Sequence, residues 1–156
     1  EASDADRFIE LLRSSLAMGA AHLVDEKGSY PWDHYNWGWK ETGSLDHEKI
    51  EGQGAKIGWT FNETIHLDMK AALSVVKTFS TRLGNYLGSS ERAINKALLE
   101  AGMLAKYDKG RHTAKVTVEG RRENVICLPV DILIDKETSE TEETEDDTPL
   151  EYDPPF

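Results

Sequence analysis

The last 22 residues set the tightest limit on what this chain can fold into. From Asp135 to Phe156 there are ten acidic side chains and one lysine, a net charge of −9. Apolar side chains return only at Leu150, Tyr152 and Phe156. Such a segment cannot bury enough apolar surface to offset the entropy of ordering it, so it is expected to be disordered when free. Residues 1–134 must therefore supply any packed domain, and that length can bury a real core.

The remaining charge is segregated as well. Residues 1–76 carry −6, residues 77–122 carry +6 and residues 123–156 carry −11, within a chain total of −11. A basic middle between acidic ends points to a polyanion partner more strongly than the overall acidity argues against one. Cys127 is the single cysteine, which excludes an internal disulfide or a thiolate metal cluster. No apolar run approaches the roughly 20 residues that cross a bilayer, and no signal peptide is apparent. A cytoplasmic protein with no membrane partner is the expectation. The first residue is Glu1 rather than Met, as expected of a fragment of a longer polypeptide.

Asp4 or Asp6 is positioned to cap a first helix. Phe8, Ile9, Leu11, Leu12 and Leu16 give it an apolar stripe, and Gly19 ends it. Residues 25–56 lack periodicity and read as a long, Trp-rich loop. Ile57 to Asp68 reads as a β-hairpin around an Asn62-Glu63 turn. Asp68 then caps a helix running to about Leu83, with Leu73, Val76 and Phe79 on one face. Gly84 and Gly88 bracket a short connection. Ser89 or Ser90 opens a further helix, stopped by Gly102, that turns Ile94, Ala97 and Leu98 inward. Arg92, Asn95, Lys96 and Glu100 remain for solvent or ligand. Met103-Leu104 offers a short strand before a basic loop, Lys106 to Arg111. Lys115–Val118 and Asn124–Leu128 then form a hairpin across Glu119-Gly120.

Helix, short connection, helix and basic hairpin follow in the order of a winged helix-turn-helix. The fold class expected is α+β: a winged core with an N-terminal helix, a Trp-rich loop, a β-hairpin and the disordered acidic tail. Residues 1–134 form the domain and residues 135–156 the tail. In a winged module the second helix enters a groove, and Lys, Arg and backbone amides hold phosphates. The candidate DNA-binding residues are Arg92, Asn95 and Lys96 on that helix, Lys106, Lys109 and Arg111 before the wing, and Lys115, Arg121 and Arg122 on it. Arg92 and Lys96 are four residues apart and share a helix face. A solvated basic surface, a protein-docking module and a transcription regulator are the competing readings.

Residues from about Arg7 to Leu133 also resemble the C-terminal region of helicase-like or primase-helicase replication proteins of phages, plasmids and genomic islands. The likeness lies in Phe8-Ile-Glu-Leu-Leu-Arg-Ser-Ser-Leu-Ala-Met-Gly-Ala-Ala-His22-Leu, Trp37-Gly-Trp39-Lys, Lys56-Ile-Gly-Trp59 and Lys96-Ala-Leu-Leu-Glu-Ala-Gly-Met-Leu104. It implies a non-catalytic accessory domain of a DNA replication enzyme. The chain has no Gly-x-x-x-x-Gly-Lys-Ser/Thr loop, so an ATPase or primase would lie upstream or in a partner. The final Asp153-Pro154-Pro155-Phe156 resembles the C-terminal peptide of bacterial single-stranded-DNA-binding proteins, which docks onto replication partners. By that resemblance Phe156 is the anchor, Pro155 stiffens it and Asp153 meets basic rim residues. Pro154, in place of an aliphatic residue, and Tyr152, within the acidic run, depart from the pattern.

Weaker signals point to packing. Trp32, Trp37, Trp39, Trp59, Tyr30 and Tyr35 could stack on bases, but the acids around the loop would repel a polyanion, so packing against the hairpin is expected. His22, His34, His47, His66 and His112 form no recognisable ligand set, and Cys127 reads as a buried core residue. Neither a cofactor nor a catalytic constellation is expected.

Overall fold

The computed structural model describes residues 3–44 and 46–134. The acidic tail, with Asp153, Pro155 and Phe156, lies outside the described residues. Within them the chain is an α+β fold with three helices, a five-stranded mixed sheet and a separate two-stranded hairpin.

Helix α1 (Asp4–Ala17) begins at Ser3, whose hydroxyl accepts from the Asp6 N–H at 3.1 Å. The cap is thus one residue earlier than Asp4. The apolar stripe of α1 is buried as its spacing requires. Helix α2 (Met69–Arg82) is capped by Asp68, and α3 (Glu91–Glu100) by Ser90. Leu73 and Val76 of α2, with Ile94 and Leu98 of α3, join Phe8 and Leu12 of α1 in one core.

The sheet runs in the order β1 (Ala21–Asp25), β4 (Ala55–Phe61), β5 (Thr64–Leu67), β7 (Arg121–Pro129), β6 (Ala114–Val118). Only β1 and β4 pair in parallel. A parallel pair needs a long crossover. Part of that crossover is the hairpin β2 (Trp39–Ser44) and β3 (His47–Gly52). The expected loop over 25–56 is therefore corrected: it contains part of β1, the β2–β3 hairpin and the start of β4. No strand forms at Met103-Leu104; just after it, Lys106 makes an isolated bridge to Cys127.

Both faces of the sheet are covered. Leu23, Ile65, Leu67, Ile126 and Leu128 meet the helices. Val24, Trp59, Ala114, Val118, Val125 and Cys127 form a second cluster on the other face. Strict alternation would place Ile57 and Trp59 on one face. The β1–β4 register slips between His22 and Leu23, leaving Ile57 as the extra residue, so Ile57 joins the helix-side core while Trp59 joins the other cluster. The sheet also curls. At one end the Glu119 N–H, at the tip of β6–β7, donates to the Glu26 carbonyl just past β1 at 2.7 Å.

Candidate nucleic-acid interface

Helix α3 is held by its approach. Arg7 of α1 donates through Nη2 to the Asn85 carbonyl (3.3 Å), Asn85 Oδ1 (3.0 Å) and the Tyr86 carbonyl (3.2 Å). The Ser89 hydroxyl donates to Asp4 Oδ2 at 2.7 Å, and the Leu87 N–H donates to Ser80 Oγ at 3.0 Å. These bonds fix the α2–α3 connection, so α3 presents a defined outer face. Arg92 and Lys96 are exposed on that face. Asn95 is not: it is only 6 % exposed, and its Oδ1 has no partner. Its expected place on the open face is corrected. Asn95 follows the fully buried Ile94 and lies three residues before the fully buried Leu98, so it faces inward with them.

The β6–β7 hairpin turns at Glu119 and Gly120, both with positive φ (49° and 75°), as a tight two-residue turn matching strand twist requires. Its tip is tied down. Glu119 Oε2 accepts from Lys56 Nζ and from Trp59 Nε1, each at 2.7 Å. These bonds hold the Glu119 carboxyl below the ordinary range, the Lys56 bond first and the Trp59 bond second. Lys56 Nζ also stands 5.4 Å from the Trp59 ring centroid.

The other sequence candidates all stand exposed along this hairpin and its approach. Lys115 lies opposite Asn124 and Arg122 opposite Thr117, so the two cations share one face of the hairpin. They line a shallow cleft of about 330 Å³ with Glu123 and Asn124. Lys115 also lines a second cleft, of about 580 Å³, with Lys106. Lys106, Lys115 and Arg122 therefore form one basic row, with Lys115 shared. Arg121, at the tip, stands 3.8 Å from Glu123. Lys109 and Arg111 project from a loop organised by Asp108, whose carbonyl accepts from the Arg111 N–H and whose Oδ2 accepts from the Lys115 N–H at 3.1 Å. Arg92 and Lys96 make a separate basic pair on α3.

Sequence reasoning missed Phe61. It stands 43 % exposed at the end of β4 and lines the Lys106–Lys115 cleft with Asn62, Thr64 and Thr117. An aromatic beside a predicted turn was the available signal. His66, at the same cleft, is 7 % exposed, more buried than a half-covered strand residue. Burial, and secondarily the Lys106 charge, push its pKa below the ordinary 6.5. Burial raises the pKa of its cross-strand neighbour Cys127, which keeps that thiol protonated and a poor nucleophile.

On the other side of Phe61 and Asn62 lies a cleft of opposite character, about 630 Å³. Asp25, Glu26, Asp33 and Glu63 line it together with Trp32 and Tyr35. Trp32 is 87 % exposed, and Tyr35 and Tyr30 are exposed as well, so the expected packing of the loop's rings is corrected for these three. Trp37 and Trp59 are buried, and Trp39 donates through Nε1 to the Leu23 carbonyl at 2.6 Å. His34 Nε2 lies 3.5 Å from Glu41, and among the described residues no cluster of three His, Cys, Asp or Glu is arranged to hold a metal. No described helix is long and apolar enough to cross a membrane.

No match is found among known protein families, curated proteins or solved structures. The described surface exposes Arg92 and Lys96 on α3, among Glu91 and Glu100, and six further cations along the β6–β7 hairpin and its approach, among Asp108, Glu119 and Glu123.

Proposed function

We propose that this chain is a non-catalytic DNA-binding accessory domain of winged helix-turn-helix type, serving a DNA replication protein of a mobile element. The observation that carries the reading is the basic row Lys106, Lys115 and Arg122 on and beside the β6–β7 hairpin, in a molecule that also exposes Arg92 and Lys96 on α3. The connectivity supports it. Strand β5 enters α2, α3 follows, and the β6–β7 hairpin returns so that β7 pairs with β5. That is the strand order of a winged core, with β1 and β4 added at one side. The association with helicase or primase machinery rests on the sequence resemblance, as does the tail's role. There Phe156, stiffened by Pro155 and flanked by Asp153, docks onto a replication partner.

Anisotropy titration of the full chain on single-stranded and duplex DNA tests the reading. Arg92→Glu with Lys96→Glu is expected to weaken duplex binding about tenfold or more at moderate salt, as loss of two phosphate contacts would, and to flatten the salt dependence. An unchanged duplex affinity removes α3 from the interface. A second reading, a protein-docking module, is favoured by the exposed Trp32 and Tyr35 among four carboxylates. Absence of binding to every DNA form at low salt would select it.

A further inference from the structure

The cleft between the β4–β5 turn and β6 has the walls of a nucleotide site. Its cations are Lys106 and Lys115, and among the described residues no carboxylate lines it. Thr64, Thr117 and Asn62 add hydroxyl and amide groups that can bond phosphate or sugar oxygens. Phe61 adds an apolar ring that the fold leaves 43 % exposed. The volume, about 580 Å³, lies within the range of small-ligand sites.

Each wall selects a part of the ligand. Two lysines outnumber the one carboxylate beside them, Asp108, whose Oδ2 accepts from the Lys115 N–H at 3.1 Å, and so favour an anion. An exposed ring at the same cleft selects a flat apolar group attached to that anion, and a nucleotide carries both. In a duplex each base face is covered by its neighbours, so only an unpaired base can lie on Phe61.

The surroundings give the strand a direction. Across Phe61 and Asn62 the cleft holding Asp25, Glu26, Asp33 and Glu63 repels phosphates. On the far side Lys115 reaches the shallow cleft of Arg122. A strand seated on Phe61 therefore continues along the hairpin and away from the acids.

We propose that this cleft takes one unpaired nucleotide of a single strand, its base stacked on Phe61, its phosphate between Lys106 and Lys115, and the next phosphate at Arg122. The proposal rests on the DNA-binding reading and adds the form of nucleic acid recognised. It makes the domain a reader of unpaired DNA at the hairpin, separate from any groove contact by α3.

The test uses the full chain and three labelled probes: oligothymidylate, an abasic strand of the same length, and a duplex. Stacking of one base predicts that oligothymidylate binds roughly tenfold more tightly than the abasic strand. Phe61→Ala and Phe61→Leu, each checked for unchanged thermal unfolding, should abolish that preference while leaving abasic and duplex binding intact. Phe61→Trp should restore it. Lys106→Gln with Lys115→Gln should weaken both single strands. If Phe61→Ala and Phe61→Leu leave the preference untouched while duplex binding persists, the cleft assignment is wrong and the DNA-binding reading stands. If no probe binds, both fall.

Discussion

Glu119 controls the tip of the β6–β7 hairpin through a single carboxylate oxygen. Lys56 Nζ and Trp59 Nε1 both donate to Oε2, and the backbone N–H of Glu119 donates to the Glu26 carbonyl. The Trp59 indole is buried against Val118 and Val125, so its N–H would be left without an acceptor if the carboxylate were removed. Glu119→Ala should therefore destabilise the domain by about 1–3 kcal/mol, the cost of an orphaned buried donor. The pH dependence has a definite sign. Because the folded pKa is lowered, Glu119 binds fewer protons folded than unfolded. Its stabilisation is complete above the ordinary carboxylate range and drains away as pH falls through that range to the folded value. Urea unfolding of wild type and Glu119→Ala should thus differ most at neutral pH, and the gap should narrow as pH falls through and below the ordinary carboxylate range to what a neutral carboxyl still supplies as an acceptor. A gap that holds constant with pH would mean that the carboxylate charge contributes nothing. None of this was visible in the residue string, where Glu119 read only as a turn residue. A partner 60 or more positions away in sequence, as Lys56 and Trp59 are, leaves no local pattern.

At the scale of elements, legibility followed periodicity. The hairpin β4–β5, helices α2 and α3, and hairpin β6–β7 all lie where apolar spacing and turn residues placed them. Strand β1 and the β2–β3 hairpin were hidden for two reasons. β1 buries Leu23 and Val24 on opposite faces, so it shows no alternation. β3 is exposed along most of its length, so it had no reason to alternate. What joins these hidden elements is Gly38. Its φ is 85°, and a Cβ there would collide with the Ala21 carbonyl oxygen of β1. The flanking groups bind both elements, since the Leu23 N–H donates to the Trp37 carbonyl and the Gln53 N–H to the Gly38 carbonyl. Gly38→Ala should cost about 2–4 kcal/mol, combining left-handed strain with a backbone clash. Gly110 is the natural control, with φ 75° and no atom near its missing Cβ. Gly110→Ala should cost only the conformational share, about 1–2 kcal/mol. Equal losses for the two variants in denaturant unfolding would mean that the contact between Gly38 and β1 is not what holds the crossover.

Across the whole molecule, charge is sorted rather than balanced. Cations outnumber acids along the β6–β7 hairpin and its approach, four carboxylates gather around the Trp32 cleft, and the sequence from Asp135 onward adds −9 to a body of −2. The acidic segment is joined at Ile134 to the body that carries the basic row, so on the proposed DNA-binding reading it would compete with DNA at a high effective concentration. Deleting residues 135–156 should tighten DNA binding. Part of any gain is long-range repulsion, which fades once the Debye length falls to about 8 Å at physiological ionic strength. A gain that persists there reports direct competition for the cations, and loss of the gain at that salt would remove the covering role. Phe156→Ala separates the tail's two proposed roles. It leaves all ten carboxylates between Asp135 and Asp153 in place, so DNA affinity should match that of the full chain. A partner that reads the terminal ring would lose the contribution of one buried aromatic, about 1.5–3 kcal/mol. A tail that answers to the deletion but not to Phe156→Ala in both assays acts through charge alone, as a cover that DNA must displace.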